Sequence, residues 1–147
     1  MKKKKIFVII LVCIIILIIL ALLNYSNKQL AELKTIEDIT MTIKENSLTD
    51  SSAVIVITNN TETDYFTDKK FRIDRNIEGK WYEMSMKEDM VTTMESLNII
   101  SGDSLELDLY WERYYGNLGP GKYRIVKDVT TNDNHQNYNI EVEFSLE

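Results

Sequence analysis

The sequence predicts an all-β, two-sheet antiparallel sandwich preceded by a single transmembrane helix at the N-terminus. Three observations carry this. Residues 6–23 hold no charge and no glycine. From Ile39 onward, apolar residues recur at every second position over short stretches divided by polar turns, the period of half-buried strands. Near the C-terminal end, a Gly-Pro-Gly turn at 119–121 is followed by Tyr123, a turn-and-tyrosine arrangement typical of sandwich corners. A small open barrel is the competing architecture.

The N-terminal run comes first. Lys2 to Lys5 precede Ile6 to Leu23, eighteen uncharged positions. As a helix that length reaches roughly 27 Å, close to a hydrocarbon thickness of about 30 Å. A cleaved signal peptide is the alternative, but it needs a shorter apolar region and a small-residue exit. Here the run closes on Ala21-Leu22-Leu23-Asn24. A lipid-modified cysteine is disfavoured because Val12 precedes Cys13 and apolar residues follow it. An uncleaved anchor is the expectation. The positive-inside bias keeps the lysines cytoplasmic and sends the C-terminal domain across the cell membrane. Leu30, Leu33 and Ile36 at three-residue spacing suggest a short helical stalk. The expected layout is a basic tail over 1–5, an anchor over 6–23, a stalk over 24–38 and a β-domain over 39–147.

Charge and composition exclude several classes. Residues 24–147 keep 13 of the 17 basic side chains and all 23 acidic ones, a formal charge of −10. Nucleic acid, which needs a basic face, is therefore not an expected partner. The one cysteine, Cys13, lies in the apolar run, so neither an intrachain disulfide nor a C-x-x-C site exists. A single histidine removes paired-histidine zinc sites.

The strands follow in order. Ile39, Met41 and Ile43 alternate with Thr40, Thr42 and Lys44. Ala53 to Ile57 is apolar on both faces, as in a central strand. Phe71 and Ile73 alternate with Arg72 and Asp74, and Glu78-Gly79-Lys80 turns the chain into Trp81 to Met84. Met86 to Met94 shows no clear period. Leu105, Leu107 and Leu109 oppose Glu106, Asp108 and Tyr110. Lys122 to Val129 is another strand. Tyr138, Ile140, Val142, Phe144 and Leu146 share one parity, with Asn139, Glu141, Glu143 and Ser145 opposite.

Leu118-Gly119-Pro120-Gly121-Lys122-Tyr123 sharpens the reading. Proline second and glycine third is the chemistry of a type II turn, because glycine takes positive φ cheaply. In a tyrosine corner the Tyr123 hydroxyl bonds upstream backbone and the ring enters the core. Trp111 is the expected core plug, and Gly119, Pro120, Gly121, Tyr123 and Trp111 form the expected structural corner. With Ile57-Thr58-Asn59-Asn60, Phe71-Arg72-Ile73, Gly79-Lys80-Trp81-Tyr82 and the stretch from Trp111 to Lys127, the sequence resembles bacterial immunoglobulin-like domains of exported proteins in Gram-positive organisms. The resemblance spans about residues 39–147. It implies an immunoglobulin-like sandwich at a cell surface or envelope, and it carries no catalytic residues and no common ligand.

Chemistry-bearing residues are few. His135 lies in a polar loop, where solvation is the plain reading against an acid–base role. Glu106 with Asp108 and Glu141 with Glu143 share strand faces and face no partner across a cleft, as glycosidase chemistry requires. Calcium is the least implausible ion, at Asn132, Asp133 and Asn134 or at Asn60, Glu62 and Asp64. Both sets read better as turns that cap their own backbone. Tyr110, Trp111, Tyr114 and Tyr115 could build a sugar-stacking platform, but core filling is the simpler role for such aromatics. No catalytic, cofactor or metal residue is assigned, and the exported domain is expected to be monomeric. Two functions remain. One is a non-catalytic surface module that binds a protein partner or acts as a structural spacer at the envelope. The other is a small regulatory membrane protein whose anchor helix and exported domain modulate another membrane protein.

Overall fold

Alternating side chains build nine strands among the residues that the computed structural model describes, 14–17, 33–91, 95–133 and 135–147. They are β1 (Ile39–Ile43), β2 (Ser52–Asn59), β3 (Tyr65–Thr67), β4 (Arg72–Ile77), β5 (Lys80–Glu83), β6 (Leu97–Ile99), β7 (Ser104–Tyr110), β8 (Gly121–Thr131) and β9 (Asn137–Leu146). One sheet has the order β1-β2-β7, and all its pairs are antiparallel. In the other, β8 is the spine. β9 runs along one side of it, while β4 and then β3 share the other side, with β5 outside β4 and β6 outside β3. The two antiparallel sheets make an immunoglobulin-like sandwich.

The core lies where the inward parities meet. Ile39, Met41, Ala53, Ile55, Ile57 and Leu109 come from the first sheet, and Ile73, Tyr123, Ile125, Val129, Ile140 and Phe144 from the second. Trp111, fully buried, stacks on Phe144 at 5.8 Å between ring centres, and Tyr123 stacks on the same ring at 5.5 Å. The Trp111 indole N–H, which would be costly if left unbonded, donates to the Asp50 carbonyl at 2.8 Å. A one-turn helix, Glu112–Tyr115, follows Trp111 and buries Tyr115.

Several expectations need correction. β3 and β6, three residues each, are too short to show a period in the sequence. The stalk expected over 24–38 does not reach Asp38. Asn139 N–H donates to the Lys34 carbonyl at 2.8 Å, and Thr35 bridges Asn139 in parallel, so residues 33–38 join the sandwich without helix. The stalk's earlier residues lie outside the described residues. So does most of the anchor expected over 6–23, of which residues 14–17 are helical and exposed. No helix among the described residues is long and apolar enough to cross a membrane. Gly121 is not the third residue of a type II turn. Its φ of +159° is far from the roughly +80° of that position, and it opens β8 instead. Glycine suits it because L side chains rarely adopt that φ, and a Cβ would also meet the Tyr123 ring at 3.3 Å.

Candidate functional site: the outward face of the second sheet

Antiparallel register places directly paired residues on one face. On the outward face of β4, β5, β8 and β9 it sets Arg72 beside Val126, Asp74 beside Arg124 and Glu83, and Asn76 beside Trp81. Glu141 stands beside Val126, and Glu143 beside Arg124. An outward sheet face ordinarily keeps its charges in water. Here Asp74 is 1% exposed and Arg124 7%.

Burial of these charges is compensated bond by bond. Asp74 Oδ1 accepts from Arg72 Nε at 2.8 Å, and Oδ2 accepts from Arg124 Nε at 2.7 Å and Arg72 Nη2 at 3.3 Å. Arg124 Nη1 donates to Glu141 Oε2 at 2.7 Å. The Trp81 ring covers Arg124, with the guanidinium carbon 4.9 Å from the ring centre, and Lys122 Nζ lies 5.5 Å from it. Burial works against the Arg72 charge, but the hydrogen bond and charge of Asp74 outweigh it, so the pKa rises above its ordinary value. Every charge in this group is held by another. What it presents to solvent is Trp81, half-buried and laid over an arginine that Asp74 and Glu141 hold.

A family model described as a bacterial Ig-like domain matches residues 35–145. The chain belongs to that family. Among solved structures, the archaellum periplasmic stator protein FlaG from Sulfolobus acidocaldarius is similar over 72% of this chain and 99% of its own, at 14% identity and a TM-score of 0.42. No curated protein matches the chain.

Within this Ig-like domain the residues singled out by sequence take varied places. Tyr123, 1% exposed, donates its hydroxyl to the Gly119 carbonyl at 2.9 Å. Gly119 and Pro120 are exposed, and Trp111 lies in the core. The four candidate platform aromatics do not share a face: Tyr110 is exposed, Tyr114 half-buried, and Trp111 and Tyr115 buried. His135 is exposed and meets Phe66 edge-on at 6.4 Å. Glu106 pairs with Lys44 at 2.8 Å and Glu143 with Lys122 at 2.5 Å. In the candidate calcium loop of Asn60, Glu62 and Asp64, Asp64 Oδ1 accepts the Ser101 N–H at 2.8 Å. In the loop of Asn132, Asp133 and Asn134, Asn134 lies outside the described residues. No group of three His, Cys, Asp or Glu side chains among the described residues could hold a metal ion. Cys13 also lies outside the described residues.

Three features escaped the sequence reading. The Arg72/Asp74 pair, two residues apart on one strand face, was a usable signal, but its partner Arg124 comes from fifty positions away. Asn59, fully buried, donates to the Thr63 and Ile99 carbonyls at 2.8 and 3.0 Å and accepts from the Thr61 N–H and hydroxyl at 3.0 and 2.7 Å. It thereby ties two loops to the end of β2. Lys127 sits at a core parity of β8, 1% exposed, with its ammonium donating to the Asp68 and Lys70 carbonyls at 2.7 Å each.

Proposed function

We propose that the chain is a membrane-anchored, extracytoplasmic Ig-like module that catalyses nothing and binds a protein partner at the cell envelope through the outward face of β4, β5, β8 and β9. The observation that carries this reading is the Arg72–Asp74–Arg124–Glu141 network beneath Trp81. Arginine and tryptophan are the residues that most often dominate interface energy, and rigid side chains lose less entropy on docking. These two arginines are already fixed by Asp74 at 2.7–3.3 Å. The anchor reading rests on the apolar run Ile6 to Leu23 behind four lysines, and the outward orientation on that charge bias.

The test is co-purification of the tagged full chain from detergent-solubilised membranes. Trp81→Ala, checked for an unchanged β-rich circular dichroism spectrum, should lose the partner, and Tyr110→Ala should keep it. If the partner is retained by Trp81→Ala but lost when residues 6–23 are exchanged for an unrelated span, the anchor helix makes the contact and the regulatory reading replaces this one.

A further inference from the structure

β3 and β4 lie end to end along one side of β8, and the loop between them leaves a break in the sheet. β8 pairs with β4 as far as Val126 and with β3 only from Thr130. Inward, Lys127 fills this break by bonding the loop's carbonyls at Asp68 and Lys70. Outward, the break stays open as a cavity of about 210 Å³ lined by Lys70, Phe71, Arg72, Val126 and Asp128.

The lining separates charges rather than pairing them. Val126 lies opposite Arg72 in the ladder, so Asp128, two residues on, is the diagonal neighbour of Arg72, at about 7–8 Å. The two attract each other, and Asp128 contributes to the raised pKa of Arg72, yet they form no ion pair. Arg72 instead turns Nε and Nη2 toward Asp74, leaving Nη1 uncommitted. The Lys70 ammonium has no partner among the described side chains, and Asp128 spends only Oδ1, on Asn139 Nδ2 at 2.6 Å. Val126, on the same face as Arg72, supplies the apolar floor, while the Phe71 ring packs inward on Tyr115.

We propose that this cavity binds a small zwitterion of the α-amino acid class. Its carboxylate would take the Arg72 Nη1 edge and Lys70, its ammonium Asp128 Oδ2, and its side chain the Val126 surface. A ligand with no net charge suits an exported part carrying −10 overall, which would repel a simple anion. Neutral pairing of both ends would also avoid leaving a desolvated charge in the pocket.

The test is amide chemical-shift mapping on the isotopically labelled full chain in detergent micelles, titrated separately with alanine, acetate and methylammonium. Alanine should shift the Phe71, Arg72, Val126 and Asp128 resonances with saturation, at least about tenfold more tightly than either half-ligand, since charge-assisted bonds form at both ends. Asp128→Asn and Lys70→Ala, both at exposed positions, should each weaken alanine binding while the spectrum elsewhere stays unchanged. Equal binding of acetate alone, equal binding of methylammonium alone, or no saturable shift with alanine would each overturn the proposal. The result is independent of the partner experiment, which reads Trp81.

Discussion

The Tyr123 hydroxyl reaches back four residues to the Gly119 carbonyl while its ring stacks on Phe144, so one side chain joins a turn to the core. Tyr123→Phe keeps the ring and removes only that bond. The expected loss is about 1 kcal/mol, near the lower end for a buried acceptor because Gly119 is exposed and water can replace the partner. A denaturant melt should show it, whereas Tyr110→Phe, at a side chain 69% exposed, should leave the midpoint unmoved. Equal midpoints for both variants would remove the hydroxyl from the account. Lys127 makes a different claim. Burial pulls its pKa down to about 8, against partial compensation from Asp68 and Asp128. Its two carbonyl partners match the two N–H donors of a neutral amine, so losing a proton breaks neither bond. Between about 8 and the ordinary 10.5 the unfolded chain holds more protons than the folded one, so stability should rise with pH across that window. The full rise is about 3 kcal/mol at 1.36 kcal/mol per pKa unit. Chemical denaturation from about pH 7 to pH 9.5 should show the climb, and Lys127→Met should abolish the slope whatever its own stability.

Between elements, the β4–β8 contact depends on Asp74 as much as on the ladder. Asp74→Asn keeps the shape but takes the carboxylate from Arg72 and leaves buried Arg124 with Glu141 alone, a loss on the order of 3–5 kcal/mol. Glu88→Gln is the control: the Glu88–Arg113 pair at 2.9 Å is exposed, and its loss should not register in the same melt. If Asp74→Asn also had no effect, the network would be decoration on a sheet held by its backbone. The same contrast explains what could be read from sequence. β1, β7 and β9 announce themselves because each buries one parity and a two-residue period survives in the sequence, whereas β2 shows as a continuous apolar run. β3 and β6 are held by register with β8 and with each other, which three residues cannot encode. Trp111 and Tyr123 were legible because large aromatics beside a glycine turn have few other places to go. Lys127 and Asp74 were not. Sequence rules send charges outward into water, and here carbonyls of the β3–β4 loop compensate Lys127, while Arg124 from a distant strand joins neighbouring Arg72 on Asp74.

At the scale of the molecule, the polypeptide joins the sandwich at Lys34 and Thr35, beside Asn139 near the start of β9, and leaves it at Leu146 at the other end of that strand. Entry and exit thus lie at opposite ends of the sandwich, and Ser145, exposed near the exit, can report where the domain resides without disturbing the entry side. As proposed above, this Ig-like domain would stand outside the cytoplasmic membrane on an uncleaved anchor. Because the chain has a single cysteine, Cys13→Ser combined with Ser145→Cys gives a full-length protein with one thiol at a known place. Intact cells are treated with a membrane-impermeant maleimide, and the labelled product is sized from the membrane fraction. The account predicts labelling before lysis on a membrane-bound chain of the full 17.2 kDa. Labelling only after lysis, or a labelled product shortened by the N-terminal segment and released from the membrane, would contradict it.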